Sequence, residues 1–344
     1  MTPSATAPPV PGRSGGPVPG ARKRVRGRPR RRTAATAAAL LLCAAPFASA
    51  SPGTADGRPP AHRAAPLYVS DYADNTVLRL PPGGGDPVTV AASGLTRPTG
   101  LALDASGDLY IADTGNNRVA RVPGDGGPQV TVDTTGLSRP IGLALTANGD
   151  LYIADSFNDR VVMVPADGGG QVTVPTTGLL HPDGLALDGA GNLFVADFVN
   201  DRVVEVPADG GPQTTVPTTG LSQPTGLAFD RRGNLFVSDS GNDRVVEVPA
   251  GGGPQRTVPA TGLDSPYGLA FDRSGALYVA DFDNDRVVEV PVRGGLRPLP
   301  VAGLRTPAGL AVPPERDAYG SRPTERWPSG PPGAARRRRP GPRG

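Results

Sequence analysis

Residues 151–192 read LYIADSFNDRVVMVPADGGGQVTVPTTGLLHPDGLALDGAGN, and the next residue, Leu193, begins the same pattern again as LFVADFVND. Equivalent starts stand at Leu67, Leu109, Leu235 and Leu277, so the unit recurs every 42 residues. Within the quoted unit four short apolar runs alternate with turn chemistry: Leu151–Ala154, Val161–Val164, Gln171–Pro175 and Gly184–Leu187. Gly, Pro, Asn and Asp separate them, which is the punctuation of strands joined by tight turns. Helical periodicity is absent throughout.

Four strands in about 42 residues is the arithmetic of a β-propeller blade, a unit too small to bury its own faces without neighbours. The ends set the number of blades. The chain enters the repeats at Leu67 on an LYVSD strand with no GLALD strand before it. It leaves them on Gly309-Leu310-Ala311-Val312, a GLALD-type strand with no followers. Joined, the two fragments make one blade. The expectation is therefore an all-β, six-bladed propeller of four-stranded antiparallel blades, with strand 309–312 completing the first blade and leaving no open sheet edge.

The flanks read differently. Residues 1–32 are rich in Pro, Gly and Arg. An apolar stretch, Thr33–Phe47, follows, and Ala48-Ser49-Ala50 offers a small-residue cleavage site. This order predicts a signal peptide over 1–50, with an apolar part shorter than the roughly 20 residues a spanning helix needs. A linker (51–66), the propeller (67–312) and a disordered basic tail (313–344) follow, the tail holding Arg336–Arg339 and too little apolar surface to fold. The reading expects a secreted, monomeric protein with no integral membrane segment once the signal is removed, and envelope association through the tail.

Composition supports this division. The 344 residues include 48 glycines and 42 prolines, a level that marks low complexity when aperiodic, but here most fall in register. A single cysteine, Cys43, excludes an intrachain disulfide or a thiolate metal site. The net charge of +3 belongs to the ends. Of 35 bases and 32 acids, residues 1–50 hold nine bases and no acid, and residues 313–344 hold eight bases and three acids. That leaves 18 bases and 29 acids over 51–312, a net of −11. An acidic folded part argues against nucleic acid as a partner.

The constant positions carry a resemblance. In the second blade they are Pro98, Gly100, Leu101, Asp104, Gly107, Tyr110, Asp113, Asn116, Arg118 and Val119, and matching sets run to Arg286. The pattern PxGLAxD…G…LYVAD…NxR resembles the NHL-repeat family of propellers, and among them the extracellular sensor propellers of actinobacterial receptor kinases. The first unit departs with Thr76 in place of Arg, and the last loses its Asp after GLAV. Because Asp113, Asp155, Asp197, Asp239 and Asp281 recur from blade to blade with Asn and Arg, they read as structure: a carboxylate at a strand end accepts turn amides and a guanidinium.

Function is then sought where the units differ. Antiparallel parity puts the DxxN turns and the GLxxPxG turns on one face, and the ADGG and DASG turns on the other. The variable aromatic and polar residues gather on the first: Tyr72, Phe157, His181, Asp183, Phe198, Tyr267 and Phe282 are the candidate binding residues. Exposed aromatic residues clustered at turns point to a contact surface. No catalytic or metal-binding residue is assigned.

Propeller enzymes that this fold resembles use several histidines with a metal, or oxygen ligands at the channel. Here the repeats hold one histidine, His181. No cofactor is expected, with calcium on oxygen ligands left open. The reading favours a non-catalytic binding or scaffold module for a protein or cell-envelope ligand. A metal-dependent hydrolase or lyase using Asp183 and His181, gluconolactonase-like or streptogramin-lyase-like, is the alternative.

Overall fold

The computed structural model describes residues 65–82, 85–292 and 295–314. The expected signal peptide, nearly all of the linker and nearly all of the basic tail lie outside the described residues. Those described form six four-stranded antiparallel sheets, the blades of a propeller. Blade 2 is representative, with an inner strand Pro98–Leu103, a second strand Leu109–Asp113, a third strand Arg118–Val122 and an outer strand Val130–Thr131. The inner strands of blades 3 to 6 start at Pro140, Pro182, Pro224 and Pro266. Blade 1 joins Pro307–Ala311 to Leu67–Asp71, Thr76–Leu80 and Val88–Thr89, so the last strand completes the first blade as expected.

A blade lies between two others, so both faces of its strands are buried. In Leu109–Asp113, Leu109 and Ile111 join a cluster shared with blade 1, whereas Ala112 joins one shared with blade 3. The period-2 alternation thus sorts side chains between two neighbours. Six such clusters fill the six gaps between blades, and residues such as Val69, Ile111, Ile153 and Val195 are fully buried. Each buried side chain of this size contributes about 1.5–3 kcal/mol relative to exposure.

The circle closes around glycine. A Cβ built on Gly100 would overlap the Ile141 carbonyl oxygen, one on Gly142 that of Asp183, and one on Gly184 that of Thr225. Gly226 meets Tyr267, Gly268 meets Ala308, and Gly309 returns to Thr99. The inner strands therefore meet backbone to backbone, and no side chain fits at these six positions.

Side-chain clasps join the blades on the upper face, where the DxxN and PxG turns lie. The Asn117 side-chain oxygen accepts the Arg139 amide at 2.8 Å, and Asp159 accepts that of His181 at 2.8 Å. Asn75 with Arg97, Asp201 with Gln223, Asp243 with Ser265 and Asp285 with Thr306 complete the set of six. Both members of every pair have positive φ, between 49° and 57°. Asn and Asp tolerate this region best, which suits them to the acceptor position.

One expectation needs correction. The outer strand is two residues long, Val172–Thr173 in blade 3, instead of spanning Gln171–Pro175. One further ladder bond, from the Val174 amide to the Val161 carbonyl (2.9 Å), continues it. Pro175 then has no N–H to donate.

Candidate functional site

The repeated Asp, Asn and Arg residues occupy structural positions. Asp155 is fully buried; its Oδ1 accepts the Ser138 amide at 2.6 Å, and its Oδ2 accepts Asn158 Nδ2 at 2.8 Å and Arg160 Nε at 2.7 Å. Asn158 also donates to the Gly136 carbonyl, which ties the turn to the linker entering the blade. Asp113, Asp197, Asp239 and Asp281 repeat the arrangement. A buried charge is tolerated here because each carboxylate is paired and hydrogen-bonded.

Blade 1 is the exception. With Thr76 in the arginine position, Asp71 accepts only backbone amides, from Asp74 at 3.0 Å and Arg305 at 2.9 Å. Burial holds its carboxyl above the ordinary range, opposed by those amides. The Arg305 guanidinium pairs instead with Asp74 at 3.1 Å, across the closure seam.

The variable residues of the upper face divide into two groups. Thr99, Thr114, Ser156, Thr225 and Ala308 are buried between blades. Thr99 Oγ1 lies 2.7 Å from Thr114 Oγ1, which donates to the Pro140 carbonyl at 2.7 Å, and Thr225 Oγ1 donates to the Pro266 carbonyl at 3.0 Å. These residues pack the rim.

The second group forms two aromatic arcs. In one, Tyr267 and Phe282 of blade 6 have ring centroids 5.6 Å apart, and Phe282 lies 5.9 Å from Tyr72 of blade 1. The Arg97 guanidinium sits 5.9 Å from the Tyr72 centroid. In the other, Phe157 of blade 3 stacks on His181 of blade 4 at 4.8 Å and carries Arg139 over its ring at 4.6 Å. Phe157 is 48% exposed, and Leu180 and Val199, in turns of the same face, are exposed as well.

Asp183 belongs to the first arc. It stands beside the glycine circle on the inner strand of blade 4 and is 5% exposed. The Tyr267 hydroxyl, two blades away, donates to its Oδ2 at 2.7 Å. Burial drives the Asp183 carboxyl up to about 7, against the lowering effect of the tyrosine bond. The Tyr267 hydroxyl is pushed well above its ordinary value, by burial first and then by the adjacent carboxylate. Among the described residues no ion pair reaches Asp183.

Of the seven candidate residues, the structure links six: Tyr72, Tyr267, Phe282 and Asp183 through one arc, Phe157 and His181 through the other. Phe198 is half-buried on the same face, outside these ring contacts. Asp183, expected on an open contact surface, is buried, because its place beside the axis lets Tyr267 reach it. His181 makes its backbone clasp and its ring stack; among the described residues no hydrogen bond joins it to Asp183. Arg97 and Arg139 were missed as candidates. Their position just before PxG, in a turn whose neighbours carry Tyr72 and Phe157, was the available signal.

No three His, Cys, Asp or Glu side chains among the described residues converge as a metal site requires. Nor is any helix among them long and apolar enough to cross a membrane.

Comparison with known proteins agrees with this architecture. The NHL repeat model matches residues 95–121, and the SMP-30/Gluconolactonase/LRE-like region matches residues 124–241. No curated protein sequence matches the chain. Among solved structures, one of a nidogen/laminin complex aligns with TM-score 0.66 and 22% identity over 72% of this chain and 98% of that one. A streptogramin B lyase aligns with TM-score 0.57 and 15% identity over 71% and 83%. An inactive virginiamycin B lyase from Staphylococcus aureus, solved with quinupristin, aligns with TM-score 0.53 and 15% identity over 73% and 92%. At these identities the likeness is one of fold, and the fold includes both a binding complex and lyases. The chain is a six-bladed β-propeller with NHL-type repeats.

Proposed function

We propose that the propeller is a secreted binding module that docks a protein or cell-envelope ligand on its upper face. The observation that carries this reading is the pair of aromatic arcs on one face, one of them anchored by the Asp183–Tyr267 bond. The repeats build the same scaffold six times, and this face departs from repetition with large rings at its turns. Aromatic residues with a polar tip are the usual anchors of a contact surface. The exposed Phe157, Leu180 and Val199 extend the patch on one side. Secretion rests on the leader-like order of residues 1–50.

A second reading, acid–base chemistry on the same face, is favoured by one observation: a carboxyl held near neutrality suits a general base. It lacks a partner: the His181 ring is stacked on Phe157, and among the described residues no hydrogen bond joins it to Asp183.

Affinity capture from cell-envelope extract tests the docking reading. Phe157→Ala with Phe282→Ala should lose the captured species, while Arg232→Ala, on the opposite face, should retain it. Capture that ignores the upper-face changes would overturn the reading. Elimination or ring-opening turnover that disappears in Asp183→Asn would favour the second.

A further inference from the structure

We propose that the Asp183–Tyr267–Phe282 cluster takes the guanidinium head of an arginine side chain presented by a partner protein. This deepens the docking reading and rests on it.

Three observations lead there. First, the protein places its own guanidinium groups on rings of this face, Arg139 over Phe157 at 4.6 Å and Arg97 near Tyr72 at 5.9 Å. Ring faces attract such cations, and a planar guanidinium stacks on them well. Among the described residues, none is placed over Tyr267 or Phe282.

Second, Tyr267 of that unfilled pair adjoins Asp183, a buried carboxyl that no ion pair reaches among the described residues. Asp183 lies 2.7 Å from the hydroxyl end of Tyr267, so a guanidinium laid on that ring has the carboxylate at its edge. Tyr267 uses one acceptor site of Asp183, and a carboxylate offers about four. The remaining sites suit the fork of a guanidinium. The repeat itself shows this chemistry, since Asp155 accepts both Asn158 and Arg160 on a single oxygen.

Third, residues 51–312 carry a net charge of −11, which draws basic partners. Burial holds the Asp183 carboxyl high, and a bound cation relieves that cost. The groups around it fit this assignment: Tyr267 faces it directly, and His181 stands two residues before it on a ring turned to Phe157. Arg139 and Tyr72 act on Tyr267 from further away.

The probe is N-acetyl-arginine methylamide, titrated into the whole protein at pH 8 and followed by amide chemical shifts. Its neutral counterpart, N-acetyl-citrulline methylamide, and tetramethylammonium are run beside it. The expected result is saturable binding on the order of millimolar, as befits so small a ligand. Shifts should centre on Gly184 and Tyr267, and affinity should be about tenfold weaker for citrulline. Asp183→Asn, which keeps the shape and the acceptor for Tyr267, should lose a similar factor, and Phe282→Ala several-fold.

Equal binding of citrulline, unchanged affinity in Asp183→Asn, or no saturation would overturn the arginine assignment. Tetramethylammonium binding more tightly than the arginine probe would overturn it too, in favour of a quaternary headgroup. None of these outcomes touches the docking reading, which stands or falls on whether envelope capture depends on Phe157 and Phe282.

Discussion

The Tyr267 hydroxyl donates to the Asp183 carboxylate at 2.7 Å, although the residues lie 84 positions and two blades apart. The bond orients a buried acid at the centre of the upper face and holds it without a cation. Its consequences can be measured.

The first is a pH dependence of stability. The Asp183 carboxyl rises from 3.8 to about 7 on folding. Between these values the folded chain holds a proton that the unfolded chain has released, so stability falls as pH rises from about 4 to 7 and then levels off. The cost at pH 8 is on the order of 4 kcal/mol as an upper bound. Asp183→Asn should therefore be more stable than the parent at pH 8 and equal to it near pH 4. Denaturant melts at the two pH values check this, and an identical pH profile in the two proteins would refute it.

A second prediction concerns the glycine circle. Gly226→Ala places a methyl group on the Tyr267 carbonyl oxygen, where only backbone movement can relieve the overlap. The expected loss is about 3 kcal/mol or more. Gly170→Ala, which meets nothing within 4 Å, should be neutral or slightly stabilising. Comparing the two melting temperatures separates the close approach of the inner strands from a general intolerance of alanine.

The closure seam gives a third. Thr76→Arg would restore to Asp71 the guanidinium that its five counterparts have, and should stabilise the fold by about 1 kcal/mol at pH 7. Asp71 sits above its ordinary range without that partner. The gain should fade below about pH 3, where the carboxylate is protonated in folded and unfolded chain alike. A gain that persists unchanged at low pH would point to packing instead of charge.

The sequence carried the architecture because the repeat states it six times. Forty-two residues, four runs and the split terminal blade suffice for the number of blades and the closure, and parity alone separates the two faces. The role of Asp155 and its counterparts was equally legible, since a constellation present in five of the six blades cannot mark one site.

The site was legible only as a face. Whether Asp183 is exposed depends on what Tyr267 projects from two blades further on, and no pattern within a unit encodes a contact between units. The same limit hid the Arg305–Asp74 pair, which spans 231 positions. Phe198 was grouped with the others for its chemistry. Its turn follows the same backbone path as that of Phe282, but the ring contacts of Phe282 come from Tyr72 and Tyr267, which blade 4 does not supply.

The central claim is that the upper face is where the propeller engages its ligand. Envelope capture compared across the parent protein, Phe157→Ala with Phe282→Ala, and Arg232→Ala tests it most directly. The account predicts capture by the parent and by Arg232→Ala, and its loss in the double variant with an unchanged melting temperature. Equal capture by all three proteins would contradict it.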